Sequence, residues 1–193
     1  MIDGKMKATR LSIIIPHFNI PHLLGRLLET VPILDEIQLI VIDDNSTENL
    51  DELSEVIKKQ SARRNICFLN NHTKENSAGT CRNIGIEHAD GEFIIFADAD
   101  DMFLPGWYDA VSEYFDTDND IVYFLATSRY EETGLTGTRH RLFRSYAENY
   151  LNDPNHRNEL LLRYNYLAAG AVMYRRSFLN ENALRSGRRI RCL

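Results

Sequence analysis

Long apolar runs are missing from this chain. Runs such as LSIII at 11–15 and FIIFA at 93–97 are far too short to span a bilayer, and the opening MIDGKMKATR lacks the apolar stretch of a signal peptide. Cysteine is scarce: Cys67, Cys81 and Cys192 form neither a metal-type spacing nor an even disulfide set, which points to a reducing compartment. The cytoplasm is therefore the expected location. Basic charge is in deficit, with 22 Lys and Arg against 28 Asp and Glu and a formal net charge of -6, so no nucleic-acid partner is expected and a small-molecule partner is. The six histidines, His17, His22, His72, His88, His140 and His156, show no metal-ligand spacing and read as surface or satisfied structural residues. A G-x-x-x-x-G-K-[ST] phosphate loop is absent, which excludes ATP hydrolysis by that route. There is no internal repeat and no low-complexity segment. At 193 residues the chain supports one sizeable core and falls short of two comfortable domains, so 1–193 reads as a single domain.

What is present alternates between two patterns. LSIII at 11–15, stopped by Pro16, reads as a strand buried on both faces. PHLLGRLLETV at 21–31 then repeats at helical spacing through Leu23, Leu24, Leu27, Leu28 and Val31, with Pro21 suited to a helix start. IQLIVID at 37–43 is a second strand. It is followed by a helix with Leu50, Leu53, Val56 and Ile57 on one face, acids early and lysines late. NICFLN at 65–70 is a third strand, and NSAGTCRNIGIEHA at 76–89 a third helix that Asn76 or Ser77 could cap. DGEFIIFA supplies a turn and the fourth strand. Strands alternating with helices imply parallel pairing and right-handed crossovers, hence an α/β fold with a doubly wound, mainly parallel sheet flanked by helices. Beyond residue 101 the pattern loosens into a mixed α+β C-terminal lobe. It holds a helix near 107–116, a strand at 120–127, a polar stretch at 128–141, a helical patch near 157–164 and a strand at 168–174. LRSGRRIRCL at the end carries four arginines and is expected to be irregular.

Ligands of open α/β sheets bind beyond the carboxyl ends of the strands. Here the first strand ends in PHFN, the second in DDNS and the fourth in DADD, so Asp43, Asp44, Asp98, Asp100 and Asp101 gather at one edge. Two like charges at ~4 Å repel by about 1 kcal/mol in water and roughly 4 kcal/mol at an effective dielectric of about 20. No lysine lies within the acidic run, so an oxygen-bound divalent ion, Mg²⁺ or Mn²⁺, is the natural counter-charge, and it would in turn hold a phosphate group. A purely structural role stands beside this one: Asp100 or Asp101 could cap a turn before MFLPGW, and Asp43 to Ser46 could form an Asx turn and helix start. Trp107, Tyr108, Tyr114 and Phe115 fit one helix as core, although Trp107 after LPG could line a sugar platform.

LSIIIPHFN, IQLIVIDDNST, NSAGTCRNIGIEHADGEFIIFADADD and AGAVMYRRSFL, in that order and spacing, resemble the inverting family 2 nucleotide-sugar glycosyltransferases of the GT-A fold. The resemblance covers about residues 11 to 180, and the run from Asn76 to Asp101 is its most specific part. It implies a single GT-A domain, with 11–101 as nucleotide-binding half, 102–180 as acceptor-side lobe and 181–193 as irregular basic tail. The D-x-D element would be Asp98, Ala99 and Asp100. Asp100 would bind the metal that bridges the diphosphate, and Asp98 would lie near the ribose and the metal's water shell. Asp44 would hydrogen-bond the uracil edge of a UDP donor, with Asp43 supporting the turn. Pro16, His17, Phe18 and Asn19 match the loop that contacts the base, and Asn76, Gly79, Arg82, Asn83 and Gly85 match the helix flanking the nucleotide. Arg82 reads equally as a fixed cation beside the diphosphate or as a salt bridge tying the helix to the acidic edge. Gly79 and Gly85 are expected to serve close helix-to-sheet packing.

The implied reaction moves a sugar from a UDP-sugar to a glycan or lipid-linked sugar acceptor, a carboxylate taking the acceptor's proton. The family's acidic motif downstream of the RRSFL segment has no match. Glu181 sits too near the helix start, and four arginines occupy the region where acids are expected. The catalytic base is thus unassigned, a shortened chain is expected, and a sugar-nucleotide-binding module without transfer is the alternative. An aspartyl phosphatase or phospho-receiver fits poorly, because its acids would follow the first strand. The basic tail offers a peripheral contact with anionic lipid at the inner membrane face, and an uncovered apolar sheet face would favour a homodimer.

Overall fold

The computed structural model describes residues 8–61, 65–124, 126–128, 130, 133–135, 137 and 169–186. The elements in chain order are β1 (Leu11–His17), α1 (Pro21–Glu29), β2 (Ile37–Asp43), α2 (Leu50–Gln60), β3 (Ile66–Asn70), α3 (Ala78–Glu87), β4 (Phe93–Phe96), α4 (Trp107–Ser112), β5 (Ile121–Tyr123), a 3-10 turn at Ala169–Ala171, β6 (Val172–Arg175) and α5 (Arg176–Glu181). The six strands form one sheet in the order β3-β2-β1-β4-β6-β5. β1 to β4 are mutually parallel, β6 runs antiparallel to β4, and β5 antiparallel to β6. This is the doubly wound, mainly parallel α/β sheet expected from the alternation of strand and helix patterns.

Period-two alternation divides the core. Leu11, Ile13, Ile15, Leu39, Val41, Phe93 and Ile95 face one layer with Leu24, Leu27 and Leu28 of α1 and Val111 of α4. Ile14, Ile40, Ile42, Ile94 and Phe96 face the other, with Cys81 and Ile86 of α3 and Leu179 of α5. Both faces are covered, which is why these strands read as unbroken apolar runs. Each fully buried aliphatic side chain contributes roughly 1.5–3 kcal/mol. Pro21 opens α1 and Ser77 caps α3 by accepting from the Thr80 amide at 3.1 Å, both as expected. In α2 the acids Asp51 and Glu52 lie in the first turn and Lys58 and Lys59 in the last. Leu53 and Val56 pack on the core, but Leu50, assigned from its spacing to the same face, starts the helix and is exposed.

Several ends differ from expectation. The helix near 107–116 is α-helical only over Trp107–Ser112, and the strands expected at 120–127 and 168–174 reduce to Ile121–Tyr123 and Val172–Arg175. These edge strands share only three paired positions, so little ladder extends them. The helical patch expected at 157–164, most of the polar stretch 128–141 and the arginines at 188, 189 and 191 lie outside the described residues. Among the described residues no helix is long and apolar enough to cross a membrane.

β1 continues through Pro16 to His17, where the sequence pattern suggested a stop. Even-numbered residues of β1 face β4: the Arg10 carbonyl accepts from Phe93 and the Ile14 carbonyl from Ala97. Pro16 faces the same side two residues on, where the β1–β4 register has already ended at Ile14 and Phe96. Its missing N–H costs no ladder bond there. The odd side remains paired, since His17 accepts from the Asp44 amide at 2.8 Å. β1 and β4 thus diverge at Pro16, and a crevice opens at the switch in strand order.

The opposite end of the sheet is tied by charge. Glu92 accepts from Arg175 at 2.6 Å and pairs with Arg10 at 3.2 Å, while the two guanidinium groups lie over the Phe93 and Phe115 rings at 4.6 and 5.2 Å. Residues 182–186 have no regular structure but are tethered, because the Asn83 amide donates to the Ser186 carbonyl at 3.1 Å and accepts from its amide at 2.8 Å.

The two helical glycines separate. A Cβ on Gly85 would lie 2.2 Å from Ile14 Cγ2, so this residue does allow close packing on the sheet. A Cβ on Gly79 would meet Ser186 Oγ at 3.4 Å, Ser77 Oγ at 3.6 Å and the Ser186 carbonyl carbon at 3.7 Å, all ordinary contacts and none from the sheet. Gly85→Ala is therefore expected to destabilise by about 1–3 kcal/mol, exceeding the ~1 kcal/mol helix-propensity gain. Gly79→Ala should melt at or above wild type. Thermal denaturation of the three proteins checks this.

Candidate active site

Three connections leave the carboxyl ends of β1, β2 and β4 at the crevice. The β1 and β2 loops are clasped together by Asn19, which sits at φ 56° in the left-handed region that asparagine tolerates. Its Oδ1 accepts from the Thr47 amide at 2.8 Å and the Glu48 amide at 3.0 Å, and its own amide donates to Ser46 Oγ at 2.9 Å. Asn45, at φ 65°, donates to Asn76 Oδ1 at 3.1 Å and so reaches the loop before α3. Pro16 is buried, Phe18 is half exposed at the rim, and Ala99 is buried behind the acidic turn.

Each acid has a different environment. Asp43 accepts from the Ser46 amide at 2.9 Å, the Ser46 hydroxyl at 2.6 Å and His17 Nδ1 at 2.8 Å. Burial pushes its carboxyl up, but the Ser46 hydroxyl, the Ser46 amide and His17 outweigh that and hold it below its ordinary value of 3.8. The Asx turn considered for Asp43 to Ser46 is thus present. The His17 side chain lies fully buried beneath this turn, and its Nε2 finds no hydrogen-bond partner among the described residues. It supports the loop from behind and offers no exposed edge to a base. Asp44 is nearly buried and accepts from Asn71 Nδ2 at 2.6 Å. Burial, together with the nearby Asp44 charge, pushes the Cys81 thiol up to about 12 and keeps it protonated and inert.

Across β1, the chain turns after β4 with the Asp101 amide donating to the Asp98 carbonyl at 2.9 Å. Asp98 Oδ1 pairs with Arg82 Nη2 of α3 at 2.5 Å. Asp100 is exposed and makes no hydrogen bond or ion pair to a described residue. Gly170 backs the turn, since a Cβ there would stand 3.2 Å from the Phe96 carbonyl and 3.6 Å from Asp101 Oδ2. Trp107 stacks on Phe103 at 4.1 Å and donates its indole N–H to the Thr30 carbonyl at 3.1 Å, which makes it a packing residue.

Paired acids after β2 and a D-x-D turn after β4 thus flank the end of β1, where the strand order switches. Residues 12–182 match the family model of glycosyl transferase family 2. The chain belongs to that family. A family relative, the GalNAc(5)-diNAcBac-PP-undecaprenol beta-1,3-glucosyltransferase of Campylobacter jejuni, is 34% identical over 99 residues, covering 50% of this chain and 31% of the relative. Among solved structures, Staphylococcus aureus TarS 1-349 superposes with a TM-score of 0.65 at 20% identity over 91% of this chain and 50% of that one, and it is also known in complex with UDP-GlcNAc. The mannosyltransferase PcManGT of Pyrobaculum calidifontis, in complex with GDP-Man and Mn²⁺, gives a TM-score of 0.60 at 16% identity, over 91% and 47% of the two chains. These likenesses establish the GT-A type of fold. The chain spans a fifth to two-fifths of the length of curated relatives such as a Rickettsia felis glycosyltransferase and Bacillus subtilis EpsH.

The residues at the D-x-D turn fit a divalent ion. Asp100 presents a solvent-facing carboxylate and Asp98 keeps one oxygen beyond its pair with Arg82, both hard donors. Among the described residues no group of three or more metal-type side chains converges. The chain would therefore supply one or two carboxylates, the ligand number that leaves a Mg²⁺- or Mn²⁺-type ion open to phosphate oxygens and water. Asn71 and Cys81 escape prediction from sequence. They lie in loops or on a helix with no periodic signal, and only their contacts with Asp44 give them a role.

Because Asp43 is lowered in the fold, its carboxylate contributes stability that is fully present above the ordinary value of 3.8 and is lost as pH falls through the lowered one. Asp43→Asn should thus melt below wild type at neutral pH, and the gap should close from about pH 4 downward. Parallel melting curves across that range would show that the carboxylate is not held as described.

Proposed function

We propose that this chain is the donor-binding domain of a glycosyltransferase that takes a UDP-sugar and, with Mn²⁺ or Mg²⁺, transfers the sugar with inversion to a glycan or lipid-linked sugar acceptor. The observation that carries this reading is the position of Asp44 and of the Asp98–Asp100 turn on either side of the end of β1. β2 and β4 are two strand spacings apart, about 10 Å, a span that a nucleoside diphosphate laid across β1 covers. Asp44 then accepts the uracil N–H, and the D-x-D turn receives the diphosphate end. When bound, the divalent ion neutralises the diphosphate and makes it a better leaving group. Arg82, already paired with Asp98, keeps a fixed cation beside the same turn.

The likeness to TarS, known with UDP-GlcNAc, supports a uridine nucleotide, and the name of the Campylobacter relative supports a lipid-linked acceptor. Action in the cytoplasm at the inner membrane face suits such an acceptor. The inverting step needs a carboxylate to take the acceptor's proton. Glu181 lies exposed at the end of α5, away from the D-x-D turn in sequence and without an assigned role. A donor-binding module whose base comes from elsewhere is the second reading.

Titration calorimetry with UDP, with and without Mn²⁺, tests the donor site. Mn²⁺ should tighten UDP binding at least about tenfold, and Asp100→Ala should abolish that gain. An undiminished gain in the variant would remove Asp100 from the metal site. Transfer from UDP-sugars to a panel of glycan and lipid-linked acceptors then separates an enzyme from a module.

A further inference from the structure

Asn71 follows β3 and is only 1% exposed, so it meets no ligand directly. Its amide uses its whole hydrogen-bonding capacity. Oδ1 accepts from the Thr73 amide at 2.9 Å and the Thr73 hydroxyl at 2.7 Å. Nδ2 donates to the Glu75 carbonyl at 2.9 Å and to Asp44 Oδ1 at 2.6 Å. A backbone N–H can only donate and a backbone carbonyl can only accept, so Thr73 and Glu75 together decide which end of the amide is nitrogen. Asn71 is locked as a donor toward position 44. Asp44 is itself held in place by its amide bond to the His17 carbonyl, yet it keeps 9% exposure toward the crevice.

The geometry points to Asn71 as the positioning residue that sets the hydrogen-bond polarity of position 44, and through it the discrimination between uracil and cytosine nucleotides. This rests on the proposal that Asp44 meets the base. The locked donor claims an oxygen of residue 44, whichever residue stands there. With aspartate, what remains is an acceptor, which suits the N3–H of uracil and opposes the N3 lone pair of cytosine. With asparagine, the lock takes the amide oxygen and leaves the amide nitrogen for the base, which suits cytosine and opposes uracil. The Cys81 thiol beside residue 44 can accept as well as donate, so it does not resist the exchange. A merely space-filling Asn71 would produce no such inversion.

Calorimetry with UDP and CDP, both in Mn²⁺, on wild type, Asp44→Asn and Asp44→Asn with Asn71→Asp tests this, with thermal melts confirming that each protein is folded. Wild type should prefer UDP. Asp44→Asn should prefer CDP, a swing of at least about tenfold in the affinity ratio. The double variant, in which the donor and acceptor of the pair are exchanged, should return to UDP. A folded Asp44→Asn that loses UDP without gaining CDP, or a folded double variant that keeps the CDP preference, overturns the role of Asn71. Wild type without a UDP preference overturns the placement of the base at Asp44, a failure visible in that arm alone. Asp44→Asn is isosteric and keeps the Asn71 bond, so it decides the question by itself if the double variant does not fold.

Discussion

Carboxylates crowd the carboxyl edge of the sheet, and the arrangement around them follows from how each negative charge is answered. Asp43 is met by the hydroxyl and amide of Ser46 and by His17, Asp44 by Asn71, and Asp98 by Arg82. His17, Asn71 and Arg82 come from the end of β1, the end of β3 and α3, so satisfying the acids also fastens separate elements to one another. Asp100 is left facing solvent without a protein partner among the described residues. An edge that neutralises its inner acids and leaves the outer one open is suited to a cation that arrives with its ligand.

The crevice itself comes from backbone chemistry. β1 must hold β2 on one side and release β4 on the other, and Pro16 lacks its N–H on the side that is released. Asn19 and Asn45 then turn the two loops in left-handed conformations without glycine. The rest of the sheet gives this edge a rigid base. Gly85 lets α3 sit against Ile14, which brings Arg82 and Cys81 of the same helix to the acids after β4 and β2. Packing at the sheet face and charge placement at its edge are therefore one constraint.

Membership of glycosyl transferase family 2 agrees with this layout, and TarS and PcManGT, which share the fold, are known in complex with UDP-GlcNAc and GDP-Man. Residues 8–124 are described apart from 62–64, whereas most of 125–168 lies outside the described residues.

The strand and helix alternation up to residue 101 was legible because burial on both sheet faces forces continuous apolar runs and each crossover helix needs an apolar stripe. The acids at the strand ends were legible for the same reason, since a charged run directly after a buried strand has one place to go. Leu50, the extension of β1 through Pro16 and the short edge strands were not, because helix starts, ladder ends and sheet edges depend on which neighbour happens to pair. Sequence alone determined which residues are apolar, in what period, and that acids follow β2 and β4. Only the tertiary structure decided that Asn71, more than twenty residues after Asp44, aims its carboxylate, that His17 lies beneath the turn instead of facing the crevice, and that Arg82 holds Asp98. Hydrogen bonds across such separations exist only once the sheet has brought their elements together, and nothing in local composition records them.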